Sequence, residues 1–365
     1  MKIKHLFFAA ALFSMTPLFY ACSDDDEATP PEDTLIKRTN GLYITNAGNL
    51  SNNINGSLSI IDFDKETVTN DLFMDINARS LGGTPQDAVV YGTKMYIAIY
   101  GSNVIEVIDK STAKSVKQIV PTKEQGTGPR DIVAAGGKVF ISMYDGYVSR
   151  IDTASLAIDA TIPVGANPEE MAIANGYLYV TNSDGLNYGE GYINGKSVSK
   201  IKISTFTEEK KITVGLNPTR ICATTEGNLF VIAMGDYAST PAIVQKIDSK
   251  DEVTDITKAT LIAVKDNTLY LINAPYGAEA NKYLKYDTQT STFSTPDFVD
   301  QPVDSPCAIA VHPTTGKIYI SSYNLVGGYA SYTTDGYVNE YSADGKLMKK
   351  YDVGVGPCGL NFLLK

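Results

Sequence analysis

Tyrosine side chains are the groups in this sequence whose type and spacing best suit binding chemistry. The 365 residues include 23 Tyr, no Trp and two His. A tyrosine offers a rigid apolar ring and a hydroxyl, and it loses little conformational entropy when it is ordered. Nine tyrosines and one asparagine lie between short strand-like elements, and we predict that they bind a ligand, although about half of the tyrosines are expected to pack their own loops. These residues are Tyr100, Tyr144, Asn187, Tyr188, Tyr192, Tyr237, Tyr276, Tyr323, Tyr329 and Tyr332.

Two arginines lie just after prolines that belong to a repeated motif. Arg130 follows Pro129 directly, and Arg220 is two residues after Pro218. A guanidinium can hold an anionic group through two parallel hydrogen bonds, so both arginines are candidate ligand-binding residues. The alternative, which we favour, is that they pair with acidic residues at equivalent positions of the repeat. Those acidic residues are Asp87, Asp131 and Glu170.

Groups suited to catalysis or to metal binding are scarce in the sequence. One of the two histidines lies in the first 21 residues, which leaves His312 in a short turn before Pro313. The carboxylates between the strand-like elements lack the spacing of a calcium-binding loop, and no nucleophile has an evident base. The sequence therefore predicts a protein that is not an enzyme and that has no catalytic residue, no cofactor and no metal site.

Three cysteines follow the N-terminal segment, at Cys222, Cys307 and Cys358. Cys307 and Cys358 occupy equivalent positions in neighbouring repeats, so a disulfide between them is conceivable in an oxidising compartment. Neighbouring repeats can hold such residues too far apart for the Cα spacing of a disulfide, so this pairing stays open. We favour buried apolar thiols as the interpretation of all three.

The N-terminal segment has the features of a secretion signal. Two lysines precede an apolar stretch over residues 6–20 that is too short to cross a bilayer. The stretch ends at Ala21-Cys22, which resembles the lipobox of bacterial lipoproteins, and the Ser and acidic run that follow resemble the surface-export signal of Bacteroidetes lipoproteins. These resemblances imply a signal peptide over residues 1–21, lipidation of Cys22 and a location on the cell surface at the outer membrane. The alternative is cleavage by signal peptidase I ahead of an acidic, solvated terminus.

Residues 22–40 are polar, contain Pro30-Pro31 and are interpreted as a lipidated tether. Such a segment could reach roughly 60 Å when extended. No later stretch is apolar enough for a membrane span, so we expect the chain to be anchored to a membrane without crossing it. The net charge of −10 argues against a nucleic-acid partner, which would require a basic face.

A repeated pattern runs through residues 41–365. A Gly-x-x-Pro type of anchor introduces an apolar strand-like element, and successive anchors are separated by one repeat unit of about 46 residues, or by two. One anchor has lost its proline and falls near Ala259. The anchor prolines are Pro85, Pro129, Pro168, Pro218, Pro306 and Pro357.

Each unit contains four short elements that are rich in β-branched residues and Tyr, as in β-strands. Seven such units predict an all-β fold, a seven-bladed β-propeller of four-stranded blades. The first unit begins at Gly41 without an anchor strand, and the last anchor strand, from Pro357, has no unit after it. We therefore predict that the C-terminal strand joins the N-terminal blade and closes the ring. The longest loops should share one face and form the binding surface.

Two strand-like elements carry a family resemblance. Leu178–Asn182 (LYVTN) and Leu42–Asn46 (LYITN) resemble the motif of the YVTN, or YncE-like, propeller family, and the likeness covers nearly all of residues 41–365. Together with the lipoprotein features, the chain is similar to BtuG-like cobalamin-binding surface lipoproteins of Bacteroidetes. That similarity implies capture of cobalamin or related corrinoids on the long-loop face. It also implies transfer of the corrinoid to a BtuB-like TonB-dependent outer-membrane transporter.

Two other functions remain as alternatives. The first is a glycan- or protein-binding accessory lipoprotein of a nutrient-uptake system, because exposed tyrosines also stack on sugars. The absence of Trp argues mildly against glycans. The second is a propeller lyase or lactonase, which the single His and the absence of a clear acidic cluster disfavour.

Overall fold

The computed structural model describes residues 37–275 and 279–365. Seven four-stranded antiparallel sheets form the blades of a β-propeller, which confirms the predicted fold class. Four predictions concern residues outside the described part of the chain. They are the signal peptide over residues 1–21, the lipidation of Cys22, most of the tether over residues 22–40 and a ligand contact at Tyr276.

The first four blades contain the following strands. Blade 1 has β1 (Gly41–Asn46), β2 (Ser57–Asp62), β3 (Thr67–Thr69) and, from the other end of the chain, β30 (Pro357–Leu363). Blade 2 has β4 (Pro85–Tyr91), β5 (Lys94–Ile99), β6 (Val104–Asp109) and β7 (Ser115–Ile119), and blade 3 has β8 (Pro129–Ala135), β9 (Lys138–Met143), β10 (Tyr147–Asp152) and β11 (Ala157–Pro163). Blade 4 has β12 (Pro168–Ala174), β13 (Tyr177–Asn182), β14 (Ser197–Lys202) and β15 (Thr207–Thr213).

The remaining blades follow the same order. Blade 5 has β16 (Pro218–Ala223), β17 (Leu229–Ala233), β18 (Ile243–Ile247) and β19 (Val253–Thr257); blade 6 has β20 (Leu261–Lys265), β21 (Thr268–Asn273), β22 (Lys282–Asp287) and β23 (Thr292–Ser294); blade 7 has β24 (Ser305–Val311), β25 (Ile318–Tyr323), β28 (Gly336–Tyr341) and β29 (Leu347–Val353); β26 (Leu325–Val326) and β27 (Tyr329–Ala330) form a separate hairpin, and β30 is Pro357–Leu363. Five of the anchor prolines, and the last one at β30, thus begin or nearly begin an inner strand.

Helical segments are short and lie between strands. In the described part of the chain, one α-helix, α1 (Leu72–Asn77), connects blades 1 and 2 and buries Leu72 and Phe73. The 3-10 helices described there span Leu50–Asn52, Lys123–Gln125 and Gly185–Glu190. Among the described residues, no helix has the length and apolar character needed to cross a membrane.

The core lies between neighbouring blades, because the middle strands are buried on both faces. All six residues of β1 are buried, whereas the outer strand β15 exposes most of its residues. Tyr43 and Ile60 of blade 1 pack with Met95 and Ile97 of blade 2, and comparable clusters lie between other blades. Each such aliphatic side chain contributes about 2 kcal/mol through the removal of apolar surface from water.

Aspartates at the ends of third strands hold the turns that follow, as their positions suggest. The Asp109 carboxylate accepts hydrogen bonds from the backbone N–H groups of Ser111 and Thr112. Asp152 does the same with Ala154 and Ser155. Equivalent bonds are made at Asp62, Asp248 and Asp287. A carboxylate that bonds its own backbone in this way favours a tight turn, so the strand ends there.

The two ends of the propeller chain meet in blade 1, as predicted. β30 pairs antiparallel with β1, with Leu42 opposite Phe362 and Ile44 opposite Leu360. Gly359 lies opposite Thr45, and a Cβ atom at this glycine would approach the Thr45 Oγ1 to 2.3 Å. The closing pair of strands therefore requires a residue without a side chain at this position.

His312 packs at the same junction, on the face with short turns. Its ring lies 5.1 Å from Phe362 and 5.9 Å from Phe63, measured between ring centroids. Its Nδ1 accepts hydrogen bonds of 3.2 Å from the backbone N–H groups of Thr314 and Thr315. Burial, and next the charge of Lys317, lower the pKa of His312. The side chain thus holds a turn in its neutral form.

The two faces of the propeller differ in their connections. The loops into the inner strands and the loops between second and third strands open on one side, which we call the long-loop face. The turns within the other strand pairs form the short-turn face. The chain enters the propeller on the short-turn face, where the Arg38 N–H donates to the carbonyl of Ser111 at 2.8 Å.

Candidate functional site: the cavity on the long-loop face

A cavity of about 1860 Å³ opens at the centre of the long-loop face. Its walls come from the long loops of blades 5, 6 and 7, and its floor comes from the residues that follow the anchor prolines on the inner strands. The inner strands position these residues because each one starts at the face and runs away from it. The cavity therefore combines a wall of loops with a floor carried by the inner strands.

Five of the twelve predicted ligand-binding residues line this cavity. Tyr237, Tyr329 and Tyr332 belong to its wall and are 57%, 81% and 58% exposed, so their rings are available to a ligand. Arg130 and Arg220 belong to its floor. The structure thus brings together residues that are up to 202 positions apart in sequence (Arg130 to Tyr332).

The other described members of the set do not line the cavity. Tyr188 is 75% exposed on the blade 4 loop, whereas Tyr192 of the same loop is buried. Asn187 donates to the Asp184 carboxylate at 2.6 Å, which holds the loop. The rest are Tyr100, Tyr144 and Tyr323.

Three pairs of tyrosines surround the face. The rings of Tyr100 and Tyr144 meet edge to face at 5.7 Å, those of Tyr192 and Tyr237 at 6.5 Å, and those of Tyr323 and Tyr332 at 4.8 Å. In two of the pairs one ring lines the cavity and its partner supports it from behind. Some predicted binding tyrosines therefore position the residues that reach the cavity.

Arg130 is held by a carboxylate that the sequence did not suggest. Its Nε and Nη2 donate to one oxygen of Glu169 at 2.9 and 2.6 Å. The guanidinium also lies over the Tyr144 ring at 4.5 Å and over the Tyr100 ring at 5.5 Å. The sequence predicted an acidic partner among Asp87, Asp131 and Glu170. Arg130 does pair with an acidic residue, but that residue is Glu169. The reason is that the Glu169 side chain reaches back across the blade boundary.

Arg220 pairs with Glu170, as predicted. Its Nη1 donates to the Glu170 carboxylate at 2.6 Å, and its Nη2 lies 3.5 Å from the carbonyl of Cys307. The other Glu170 oxygen accepts the N–H of Ile221 at 3.3 Å. Both arginines of the floor are therefore occupied by acidic partners before any ligand arrives.

Two carboxyl groups of the floor, Asp87 and Asp131, lie on the inner strands of adjacent blades. Asp131 accepts the N–H of Met171 at 2.8 Å. Burial raises the pKa of Asp131 well above its usual range, and the charges of Asp87 and Glu170 raise it further. Burial also raises the pKa of Asp87. The pair therefore holds a proton more tightly than exposed carboxyls do.

The cysteine thiols are free and protonated. Cys307 and Cys358 line the cavity, yet neither forms a disulfide among the described residues, and Cys222 is likewise a free thiol. Burial raises the pKa of Cys307 to about 12 and that of Cys358 to about 11. The Cys358 Sγ lies 3.2 Å from the carbonyl oxygen of Gln86, which would repel a thiolate. These thiols are poorly suited to nucleophilic chemistry.

The hairpin that carries the predicted residue Tyr329 was not itself predicted from the sequence. The hairpin of β26 and β27 places Leu325 and Tyr329 on the cavity, and its tip, Gly327-Gly328, has both φ angles positive. Two glycines between short apolar pairs are a hairpin signal that could have located this element. Pro275 of blade 6 and Pro241 of blade 5 add apolar surface.

A model of the family described as "Domain of unknown function (DUF5074)" matches residues 40–356. The chain belongs to this family. The matched region of the DUF5074 domain covers the propeller up to the residue before β30, so the closing strand, with Cys358, continues beyond it. No curated protein matches the chain.

Solved structures resemble this DUF5074 domain in fold. A chain of the Kuenenia stuttgartiensis hydrazine synthase is 15% identical with a TM-score of 0.59, covering 76% of this chain and 89% of that one. A protein from Lactobacillus plantarum is 14% identical with a TM-score of 0.60, covering 89% and 99%. A chain of a mitotic checkpoint complex is 11% identical with a TM-score of 0.55, covering 80% and 84%. At these identities the likeness shows the propeller fold alone.

The described part of the DUF5074 domain contains no group of three or more His, Cys, Asp or Glu side chains arranged to hold a metal ion. In the floor, Glu169 and Glu170 are each directed to an arginine. What this arrangement provides is a deep polar floor under an aromatic wall, which is suited to holding a large ligand with both apolar and polar edges.

Proposed function

We propose that this protein is a cell-surface lipoprotein that captures cobalamin or a related corrinoid in the cavity of the long-loop face. The size of the cavity carries the proposal. Pockets for drug-sized ligands occupy about 300 to 1,000 Å³, whereas this cavity has a volume of about 1860 Å³. A corrinoid is a large, roughly planar ligand with an apolar ring and a fringe of amides, and it requires a site of this order.

The chemistry of the wall supports the same ligand class. Tyr237, Tyr329 and Tyr332 offer ring faces to an apolar macrocycle and hydroxyl groups to its amides. A phenol ionises at about pH 10, so the Tyr237 hydroxyl is protonated at neutral pH and can donate a hydrogen bond. The floor offers carboxyl groups and backbone carbonyls, which accept hydrogen bonds from amide N–H groups.

Binding without catalysis is the proposed activity. The cavity thiols hold their protons tightly, and both floor arginines are engaged by glutamates. These features favour a preformed receptor over a site that activates a nucleophile. The ligand would then leave unchanged, to be passed to a TonB-dependent outer-membrane transporter by the lipid-anchored protein.

Size-exclusion chromatography with cyanocobalamin tests the proposal. The non-lipidated form, residues 23–365, is mixed with cyanocobalamin, and the visible absorbance of the corrinoid is followed across the protein peak. A coloured, co-eluting protein peak is expected. A colourless peak at micromolar protein would contradict tight capture of this ligand by the protein alone.

A second function is favoured by one observation, the exposed apolar hairpin. Tyr329 lines the cavity and is 81% exposed, and Val326, which pairs with it in the hairpin, is 60% exposed. Surfaces that combine Tyr with aliphatic side chains and few charges are typical of protein-binding sites. We therefore keep a protein- or glycan-binding accessory role as the second candidate. A colourless peak with cyanocobalamin, together with retention on an immobilised glycan array, would favour it.

A further inference from the structure

Acidic groups outnumber basic groups among the described residues that line the cavity. The basic groups are Arg130, Arg220 and Lys258. Coulomb interactions are stronger in a cavity with protein walls than in bulk water, so this imbalance acts on any charged ligand group. The acidic groups are Asp87, Asp131, Glu169, Glu170, Glu279 and Asp304.

The two arginines of the floor are already neutralised. Arg130 makes two hydrogen bonds to Glu169 and is covered by tyrosine rings, and Arg220 donates to Glu170 at 2.6 Å. The side chains of the Arg130–Glu169 pair are 24% and 12% exposed. An anionic ligand would have to displace a carboxylate from a partly buried guanidinium to bind either arginine, which is costly.

Asp87 and Asp131 are the floor carboxyls that remain without an arginine among the described residues. Both line the floor, and Asp131 accepts the N–H of Met171 at 2.8 Å and experiences the charges of Asp87 and Glu170. Carboxyl groups placed close together disfavour a further negative charge. An ammonium or an amide N–H that reached this pair would instead donate a hydrogen bond to a carboxyl oxygen.

We infer that the floor of the cavity selects a cationic or N–H-donating group of the ligand and rejects carboxylate and phosphate groups. This inference rests on the proposed use of the cavity as the binding site, and it adds the chemical class that the floor accepts. For a corrinoid, carboxamides would face the floor, and a phosphate group would stay at the open mouth. The floor arginines are then positioning residues for Glu169 and Glu170.

Two xanthene dyes of opposite charge test the inference independently of any corrinoid. A cationic rhodamine ester and anionic fluorescein share the same ring system, and fluorescence anisotropy at neutral pH and low salt gives the affinity of each. The protein is expected to bind the rhodamine ester about tenfold or more tightly than fluorescein. Rhodamine binding should weaken as salt is raised.

Two variants locate the effect and one serves as a control. Glu170→Gln releases Arg220 and should reduce the preference for the cationic dye by about tenfold. Asp87→Asn removes a floor carboxyl that has no arginine partner, and it should also reduce the preference for the cationic dye. Glu226→Gln changes an exposed carboxylate on the short-turn face of blade 5, where it hydrogen-bonds Asn267, and should leave the preference unchanged. Thermal unfolding of each variant confirms that it is folded.

The outcomes separate this inference from the proposed function. Three results would each overturn the inference. The cationic dye does not bind, fluorescein binds equally well, or neither floor variant alters the preference for the cationic dye. Retained dye selectivity with no binding of cyanocobalamin would support the inference and refute the proposed ligand. Binding of cyanocobalamin without any charge preference would support the proposed function and refute the inference.

Discussion

Asp131, on the inner strand of blade 3, accepts the backbone N–H of Met171 of blade 4 at 2.8 Å beneath the cavity, and Asp87 of blade 2 lines the same floor. Asp131 is nearly buried, at 9% exposed, and its backbone N–H is held by the Ser142 hydroxyl at 3.0 Å. The Asp131 carboxyl cannot move without breaking its bond to the Met171 N–H. The two buried carboxyls are therefore a source of pH dependence.

The carboxyl pair should make the protein less stable as the pH rises. The pKa values of both groups are raised in the folded protein, whereas unfolded aspartates ionise near about pH 3.9. The folded state thus binds more protons above that pH, and stability falls as the pH rises through the folded-state pKa values. Asp131→Asn can accept the Met171 N–H and donate to Asp87, so it should be more stable than the parent at neutral pH by about 1 kcal/mol.

Urea unfolding of the parent and of Asp131→Asn, from about pH 5 to about pH 8, measures this effect. The variant should show a smaller loss of stability with rising pH. Glu226→Gln, whose parent carboxylate is exposed, serves as the control and should follow the parent. If Asp131→Asn were less stable than the parent at every pH, the carboxyl pair would not be what lowers the stability of the parent at neutral pH.

Removal of the wall tyrosines should weaken binding of cyanocobalamin. Tyr329 and Tyr332 line the cavity and are largely exposed, so Tyr329→Ala and Tyr332→Ala should remove ligand contact with little cost to folding. An aromatic anchor of this kind contributes about 2 kcal/mol, which corresponds to roughly a 30-fold loss of affinity.

Tyr188→Ala is the matched control for the wall tyrosines. Tyr188 lies on the same face and is 75% exposed, yet it does not line the cavity. Isothermal titration calorimetry should give the same affinity for this variant as for the parent. An equal loss in all three variants would place the ligand on the open face of the propeller and not in the cavity.

His312 should make the protein less stable in weak acid. Its pKa is lowered in the folded state, so the unfolded chain takes up a proton at a higher pH than the folded protein does. The contribution of neutral His312 is present in full above about pH 6.5 and is lost as the pH falls toward the folded-state pKa. His312→Asn can still accept the Thr314 and Thr315 N–H groups but cannot titrate. In thermal unfolding it should lose less stability than the parent over this range; parallel curves would contradict the assignment.

Gly359→Ala should destabilise the closed ring by about 1 to 3 kcal/mol. A Cβ atom there would lie 2.3 Å from the Oγ1 of Thr45, which is fully buried in β1. Gly189→Ala is the control, because a Cβ atom at Gly189 has no neighbour within 4 Å. Urea midpoints of the two variants give the comparison. A Gly359→Ala variant as stable as the control would mean that the closing strands can separate without cost.

The fold could be predicted because each repeat unit carries the same local signals for strands and turns. Each anchor proline marks where an inner strand begins, and each Asp after a third strand makes a turn with its own backbone. These are short-range effects, so one sequence suffices to find them. The half-repeats at Gly41 and Pro357 then predicted the pairing of β1 with β30.

The site could be predicted only in part, because side-chain direction in long loops depends on contacts between blades. Tyr188 and Tyr192 are four residues apart, yet one is exposed and the other is buried. Glu169 and Glu170 are adjacent in sequence, so the sequence does not distinguish which of them pairs with Arg130. In the structure Glu169 pairs with Arg130 across the blade boundary, and Glu170 pairs with Arg220. The wall hairpin was missed because its strands are only two residues each.

The point at which the chain joins the propeller has a geometric consequence for delivery. Arg38 is fastened beside Ser111, on the face opposite the cavity. An anchor joined upstream of Lys37 would attach the propeller through the face opposite the cavity, so the attachment itself would leave the mouth of the cavity uncovered. A transporter partner could then dock over the mouth without displacing the attachment.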